Sequence, residues 1–336
     1  MSADTRGGRD YTAGVDLGAT KIFSLALDAA GQERGTDTRL TGAAGGPDAV
    51  IANIVASVEA SLAQAGAGRE RLQGVGIAAP GPIDWRSGII SDAPNMPGWH
   101  NVPLARRLEE ALDAPVWLEN DADAAALAEH RLGAGAGLGI RHMIFITVSS
   151  GVGGGLIVDG RLHRGTSGAA GEVGHMILNE DGPPCTCGNN GCLEAYASGL
   201  AIAARAREAI ERGGSPALAR LAEASPPLSA ETVFRAAAEG DQVSQHIIEE
   251  AAHYLGLGIV NLAHVLNPEL IVIGGGLSKV GETLLGPARR VVEKACFEQS
   301  QRDLRIVLGT LGDRAGALGA VAAMREGHPD RRAHGT

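Results

Sequence analysis

The chain gathers His175, Cys185, Cys187 and Cys192 into eighteen residues with the spacing His-x9-Cys-x-Cys-x4-Cys, although it holds only four cysteines in all. One imidazole and three thiolates can close a tetrahedron around Zn²⁺ and leave no position for water, which describes a structural metal. Such a site contributes folding free energy to an irregular loop that has little core of its own. Pro183, Pro184, Gly188 and Gly191 supply turns between the ligands. Three unligated thiols beside a capping histidine remain the other reading of these residues.

Three further stretches carry small residues where an anion could approach the backbone. VDLGATK follows an apolar run. There Gly18 and Ala19 open the turn, Thr20 offers a hydroxyl, Lys21 a charge, and Asp16 can hold Mg²⁺ through water. SSGVGGG repeats the pattern with Ser149, Ser150, Gly151, Gly153 and Gly154, and Gly274 and Gly275 end the apolar run LIVIG, where a nucleoside could rest on bare backbone. A hairpin turn with no ligand has the same composition. In LENDADAAALAEH, Asn120 and Asp121 stand where a short strand gives way to a helix. Asn and Asp favour that place as caps, yet an aspartate fixed there is also ionised and able to take a hydroxyl proton. Glu172 lies three residues before His175 and Glu194 two after Cys192. They can grip a polyol through paired hydroxyl contacts, or stand as solvated surface acids.

The elements that must position these groups alternate between strand and helix. Tyr11 to Glu33 reads as strand, tight turn, strand and an Asp-Gly-type turn, and His142 to Arg164 repeats that order about 130 residues later. Two similar hairpins, each opening a lobe, predict a duplicated α/β architecture. Between them the patterning predicts a helix over 49–65, a strand over 72–79, a Pro/Gly-rich loop over 80–98, a helix over 104–112, a strand over 116–118 and a helix from Asp121. Beyond the cysteines the chain reads as helical to about Val265. Its last pattern, AGALGAVAAM from Ala315, suits a helix packed closely on its neighbour. Residues 1–10 and 327–336 read as mobile tails.

At 336 residues the chain exceeds the usual growth of one hydrophobic core, so two lobes are expected, 11–130 with 311–326 and 131–310. A net charge of −10 without a basic run excludes a surface built for nucleic acid. No run of eighteen apolar residues or secretory leader is visible, which predicts a cytoplasmic protein with no membrane partner.

Taken in order, DLGATK, ENDADAAALAEH, SSGVGGG, GEVGHM, CTCGNNGCLEAYASG and IVIGGGLS resemble the ROK family of repressors, open reading frames and sugar kinases. The resemblance runs from about Tyr11 to Arg325. It implies an actin-like, ribonuclease-H-like fold whose two lobes close on ATP, Mg²⁺ and a hexose. The implied reaction transfers the γ-phosphoryl group to the C6 hydroxyl of glucose or, alternatively, of N-acetylmannosamine or N-acetylglucosamine. By motif position Asp121 is then the general base and Asn120 a sugar contact, joined by Glu172, Glu194, Gly81 and Asn95. His175 gives one ring nitrogen to zinc while facing the sugar. Asp16, Gly18, Thr20, Lys21 and the Ser149–Gly155 turn become the phosphate and metal contacts, and a homodimer or homotetramer is implied. Ala19 stands where glycine is common, and SSG where STG or GTG is usual, which bears on KM for ATP more than on the reaction. A repressor of this family would carry a helix-turn-helix ahead of the first strand, where only ten residues stand, so an enzyme is expected over a sugar-sensing regulator.

Overall fold

The structure, a computed structural model, describes residues 8–93 and 96–327. Residues 1–7, 328–336 and Asn95 of the expected sugar loop lie outside the described residues. The chain divides into two compact units. The first takes the described residues up to Leu132, the segment Arg164–Ala170 and the residues from Asp313, and the second takes Gly133–His163 and Gly171–Gly312.

The first unit opens with β1 (Tyr11–Leu17), β2 (Lys21–Leu27) and β3 (Glu33–Leu40), an antiparallel meander. Helix α1 (Gly46–Gln64) leads to β4 (Leu72–Ala79), parallel to β1 with Asp16 opposite Ala78. The stretch expected as loop contains three short strands, β5 (Ile83–Asp84), β6 (Ile89–Asp92) and β7 (His100–Val102), too brief to show an alternating pattern in sequence. Helix α2 (Leu104–Leu112), β8 (Val116–Asn120) and α3 (Asp121–Arg131) complete this part, and the main sheet runs β3-β2-β1-β4-β8.

The second unit repeats that plan. Strands β9 (Met143–Val148), β10 (Val152–Val158) and β11 (Arg161–Leu162) form the meander. After α4 (Leu193–Ala197), α5 (Gly199–Glu211), α6 (Pro216–Ala224), α7 (Ala230–Ala238) and the long α8 (Gln242–Leu266), β12 (Leu270–Gly274) pairs parallel to β9. Helices α9 (Glu282–Ala295) and α10 (Glu298–Gln301) precede β13 (Arg305–Leu308), giving the order β11-β10-β9-β12-β13. Both sheets thus have the same topology, as the repeated hairpins predict. The chain then returns to the first unit with α11 (Ala315–Glu326).

Central strands buried on both faces need mainly apolar side chains; β12 is apolar throughout, and β1 and β4 depart from this only at Thr12, Asp16 and Gln73. On one face of the first sheet, Val50, Ile54, Val58 and Leu62 of α1 pack with Val15, Val75, Ile77 and Leu108, all fully buried. Each contributes about 1.5–3 kcal/mol of burial. On the opposite face β2 packs Leu25 and Leu27 against α11, but the central strands β1 and β4 are nearly bare. A methyl added at Gly14 or Gly76 would strike the carbonyl of Ala317 or Ala320 on α11, and one at Gly319 the backbone of Ala124 on α3. Glycine lets this helix lie directly on strand and helix backbone, the close packing that AGALGAVAAM predicts.

Parallel β1, β4 and β8 all end at one edge of the first sheet, and β9 and β12 at one edge of the second. Asp16, Asn120 and Asp121 stand at the first of those edges, and Ser149, Ser150, Gly274 and Gly275 at the second.

Candidate active site and metal centre

In the first unit, the turn joining β1 to β2 closes through the Gly18 N–H to the Lys21 carbonyl at 2.9 Å. Its Gly18 carbonyl accepts the Thr41 hydroxyl at 2.6 Å, so the turn is braced from the strand beyond. Thr20 and Lys21 are exposed, while the Ala19 methyl packs against the hydrophobic core. The extra Cβ at the departing position is therefore directed to the core. Lys21 Nζ lies 3.0 Å from Asp313 Oδ2, a partner that the sequence motifs did not single out because it stands some 290 residues downstream.

At the end of β8, the Asn120 side-chain oxygen accepts the N–H groups of Ala122 (3.0 Å) and Asp123 (3.2 Å). Asn120 is thus the N-cap of α3, its amide nitrogen left to other partners. Asp121 is exposed on the first turn, with Oδ1 accepting the Ala122 N–H at 2.8 Å. Asp16 is partly buried. Its carboxyl is pushed up to about 7 by that burial first, then by the charges of Asp121 and Asp313, against the opposing pull of Lys21. An aspartate so placed gains from a cation, whose charge would restore the carboxylate. Gly81 has φ +93°, and its missing side chain faces the Asp92 carbonyl, which closes the loop after β4 onto β6.

Beneath this edge the ion pair of Glu119 and Arg164 is buried, with side chains 4% and 14% exposed. The guanidinium Nε reaches both carboxylate oxygens, at 3.3 and 3.1 Å, and its plane lies over the Trp85 ring. Sequence reading missed this pair, since Glu119 stands in the Asn-Asp motif without being singled out and Arg164 lies 45 residues away, outside it.

In the second unit, the turn expected over Ser149–Gly155 is shorter. Ser149 N–H bonds the Gly151 carbonyl at 2.9 Å, and Gly153 and Gly154 already belong to β10, opposite Thr147 and Ile146. Gly154 has another use, because a methyl there would meet the Gly171 carbonyl and Val173 beside Glu172. Ser149 and Ser150 are exposed. Gly274 ends β12 against the Phe145 ring, and Gly275, at φ +83°, lies on the Val148 carbonyl next to this turn. The two expected nucleotide elements of this unit are therefore neighbours.

The cysteine loop is built by its own backbone. Cys185 N–H bonds the Asn189 carbonyl (2.8 Å), Gly191 N–H the Pro183 carbonyl (2.8 Å) and Leu193 N–H the Met176 carbonyl (2.9 Å). Gly191, at φ +68°, sits against the Asn179 backbone where any side chain would clash. The loop is pinned to α8 by Tyr196, which stacks on Tyr254 at 3.4 Å between ring centroids. The donor atoms of His175, Cys185, Cys187 and Cys192 lie within 4.8 Å of one another, with Cys185 Sγ 3.6 Å from His175 Nδ1 and Cys187 Sγ 3.7 Å from Cys192 Sγ. A Zn–S bond of about 2.3 Å sets tetrahedral ligand atoms about 3.8 Å apart, so the four residues fit such an ion. The Asn189 N–H draws the Cys187 thiol down to about 7, whereas burial pushes Cys192 up to about 12. With Nδ1 turned to the sulfurs, His175 keeps Nε2 for another partner. Glu172 is exposed at the start of the turn Val173–His175. Glu194, on the first turn of α4, accepts the Val152 N–H at 2.9 Å and the Thr186 hydroxyl at 3.3 Å.

Two sheets of one topology, each ending in a small-residue turn at its carboxyl edge, define an α/β fold of the actin-like ATPase class. The chain belongs to the ROK family, which residues 12–326 match. It is 38% identical to a glucokinase of Halalkalibacterium halodurans over 91% of this chain and 92% of that protein. A glucokinase of Thermotoga maritima is 36% identical, over 93% of this chain and 96% of its own length. Among solved structures, the ROK family glucokinase from Streptomyces griseus in complex with glucose and AMPPNP matches with a TM-score of 0.80 and 34% identity, covering 94% of this chain and all of that one. No helix among the described residues is long and apolar enough to cross a membrane.

Proposed function

We propose that the chain is an ATP-dependent hexokinase that phosphorylates the C6 hydroxyl of a hexose, glucose first among candidates. What carries this reading is the carboxyl edge of the first sheet, where Asp16 stands one residue before the end of β1, Asn120 ends β8 and Asp121 opens α3. A base and a cation-holding aspartate side by side are what transfer to a hydroxyl needs. Asp121 takes the C6 proton as that oxygen bonds to the γ-phosphorus, and the bond from phosphorus to the β,γ-bridging oxygen breaks to release ADP. Asp16 would hold Mg²⁺ through water, and the ion would supply charge neutralisation for the phosphates. Thr20, Lys21 and the N–H groups of the two turns steady those phosphates, and Gly274 and Gly275 leave room for the nucleoside. Asn120, Glu172, His175 and Glu194 hold the sugar hydroxyls, with Gly81 and Asn95 shaping the pocket. The fit of His175, Cys185, Cys187 and Cys192 to a tetrahedral ion supports a structural Zn²⁺. A cytoplasmic homodimer or homotetramer belongs to the same reading, to be checked by light scattering.

The test is ADP release with Mg²⁺-ATP against glucose, N-acetylglucosamine, N-acetylmannosamine, mannose and fructose, read as kcat/KM. Preference for glucose supports the proposal, and preference for N-acetylmannosamine moves the substrate while keeping the reaction. No stimulation by any sugar, with the protein folded and zinc-loaded, overturns it.

A further inference from the structure

The segment following the last cysteine does more than end the metal loop. Gly199 N–H donates to the Ser149 carbonyl at 2.7 Å, and Leu200 N–H to the Ser150 carbonyl at 3.3 Å. Glu194 Oε2 accepts the Val152 N–H at 2.9 Å, and a methyl on Gly151 would press on that same oxygen. Three points of the Ser149–Val152 turn, at Ser149, Ser150 and Val152, are therefore held by the stretch Glu194–Leu200. The other Glu194 oxygen is held in turn by the loop, through the Thr186 hydroxyl at 3.3 Å, between the ligands Cys185 and Cys187. Of the three contacts to the turn, only the one from Glu194 comes from a side chain, and that side chain also accepts a hydrogen bond from the metal loop.

We propose that Glu194 is a positioning residue for the nucleotide-phosphate turn, a carboxylate brace through which the metal loop fixes the backbone that receives the phosphates. This rests on the kinase reading and adds to the sugar contact assigned there. A carboxylate can serve both ends because each oxygen carries two lone pairs, one pair engaged here and the other open to a hydroxyl. The turn is short and glycine-bearing, so its N–H groups have no rigidity of their own. Losing a charge-assisted hydrogen bond to the backbone lets them wander, and preorganised donors are what bind phosphate well.

The measurement is calorimetric binding of AMPPNP with Mg²⁺ to the zinc-loaded chain, without any sugar, for the unaltered protein and for Glu194→Ala, Glu194→Asp and Glu194→Gln, with zinc per chain measured alongside. Glu194→Ala and the shortened Glu194→Asp, which cannot span to Val152, should each weaken binding about tenfold while retaining zinc. Glu194→Gln keeps an acceptor oxygen at full length and should recover to within about threefold. Stripping zinc from the unaltered protein should give a loss like that of Glu194→Ala. Should Glu194→Ala fail to fold, Glu194→Asp decides. Unchanged or tighter AMPPNP binding by the folded variants overturns the brace while leaving the kinase reading standing. Failure of the unaltered protein to bind AMPPNP overturns both.

Discussion

The two hairpin turns occupy equivalent places in sheets of identical topology, yet they are held in opposite ways. The turn between β1 and β2 presents charged and hydroxylated side chains, Thr20 and Lys21, next to Asp16, and is braced by Thr41 from its own sheet. The turn between β9 and β10 presents the hydroxyls of Ser149 and Ser150 and backbone, with no charged side chain, and is fastened by Glu194, Gly199 and Leu200 from the segment beyond the cysteines. Duplication supplies the same fold twice, and divergence gives one copy charge and the other architecture. Chemistry in the first unit should thus be separable from folding, whereas in the second unit binding and folding should fail together.

The largest expected effect tests the first half of that contrast. Asp121→Asn should lower kcat by about 10²–10⁴ while melting temperature and hexose affinity stay near those of the unaltered protein. Turnover within tenfold would leave Asp121 as a helix-capping residue only. Cys187→Ser tests the second half. It should reduce bound zinc below one per chain, lower the melting temperature by about 5–10 °C and weaken hexose affinity in the same sample. Zinc loss with unchanged affinity and stability would break the comparison.

A smaller effect follows from Asp16. Its carboxyl sits at about 7 in the folded chain, against 3.8 ordinarily, chiefly because it is buried. Between those values the folded state binds more protons at this group than the unfolded one, so its contribution to stability in the absence of metal is fully present below about 3.8 and is lost as pH rises through about 7. Asp16→Asn should flatten that slope in melting curves taken with EDTA. Mg²⁺ should reverse it, since the cation favours the ionised form. The smallest expected effect belongs to Ala19→Gly. Because the methyl packs into the core, its removal should change KM for ATP by no more than about twofold, read by steady-state kinetics, and should slightly lower the melting temperature.

How much of this was legible beforehand depended on how local the signal was. The strand at 72–79 and the helix at 104–112 fall where the apolar patterning puts them, and the four cysteine-loop residues announce themselves by spacing. Glycine runs were harder to read. SSGVGGG looks like one flexible turn, but Gly153 and Gly154 are strand residues kept small for the Gly171–Val173 segment, a neighbour no local pattern reveals. Asp313 beside Lys21, and Arg164 under Glu119, pair across 292 and 45 residues, and a single sequence holds no trace of such distances. The three-stranded β5-β6-β7 sheet escaped because strands of two to four residues are shorter than any period they could display.

The glycine seam under α11 also sets a timetable for synthesis. The first sheet is ready by Asn120, but its bare face, with Gly14 and Gly76, is covered only when Ala317 and Ala320 arrive. At about 5–20 residues per second a ribosome needs roughly 10–40 s to add the intervening chain. Throughout that interval the backbone strip of β1 and β4 stands without the helix that will lie on it. The second unit, whose sheet closes with β13 at Leu308, is whole just before the first can be finished. The first unit is the last of the two to complete its packing, and a chain cut short near Gly312 would carry one finished unit and one open sheet.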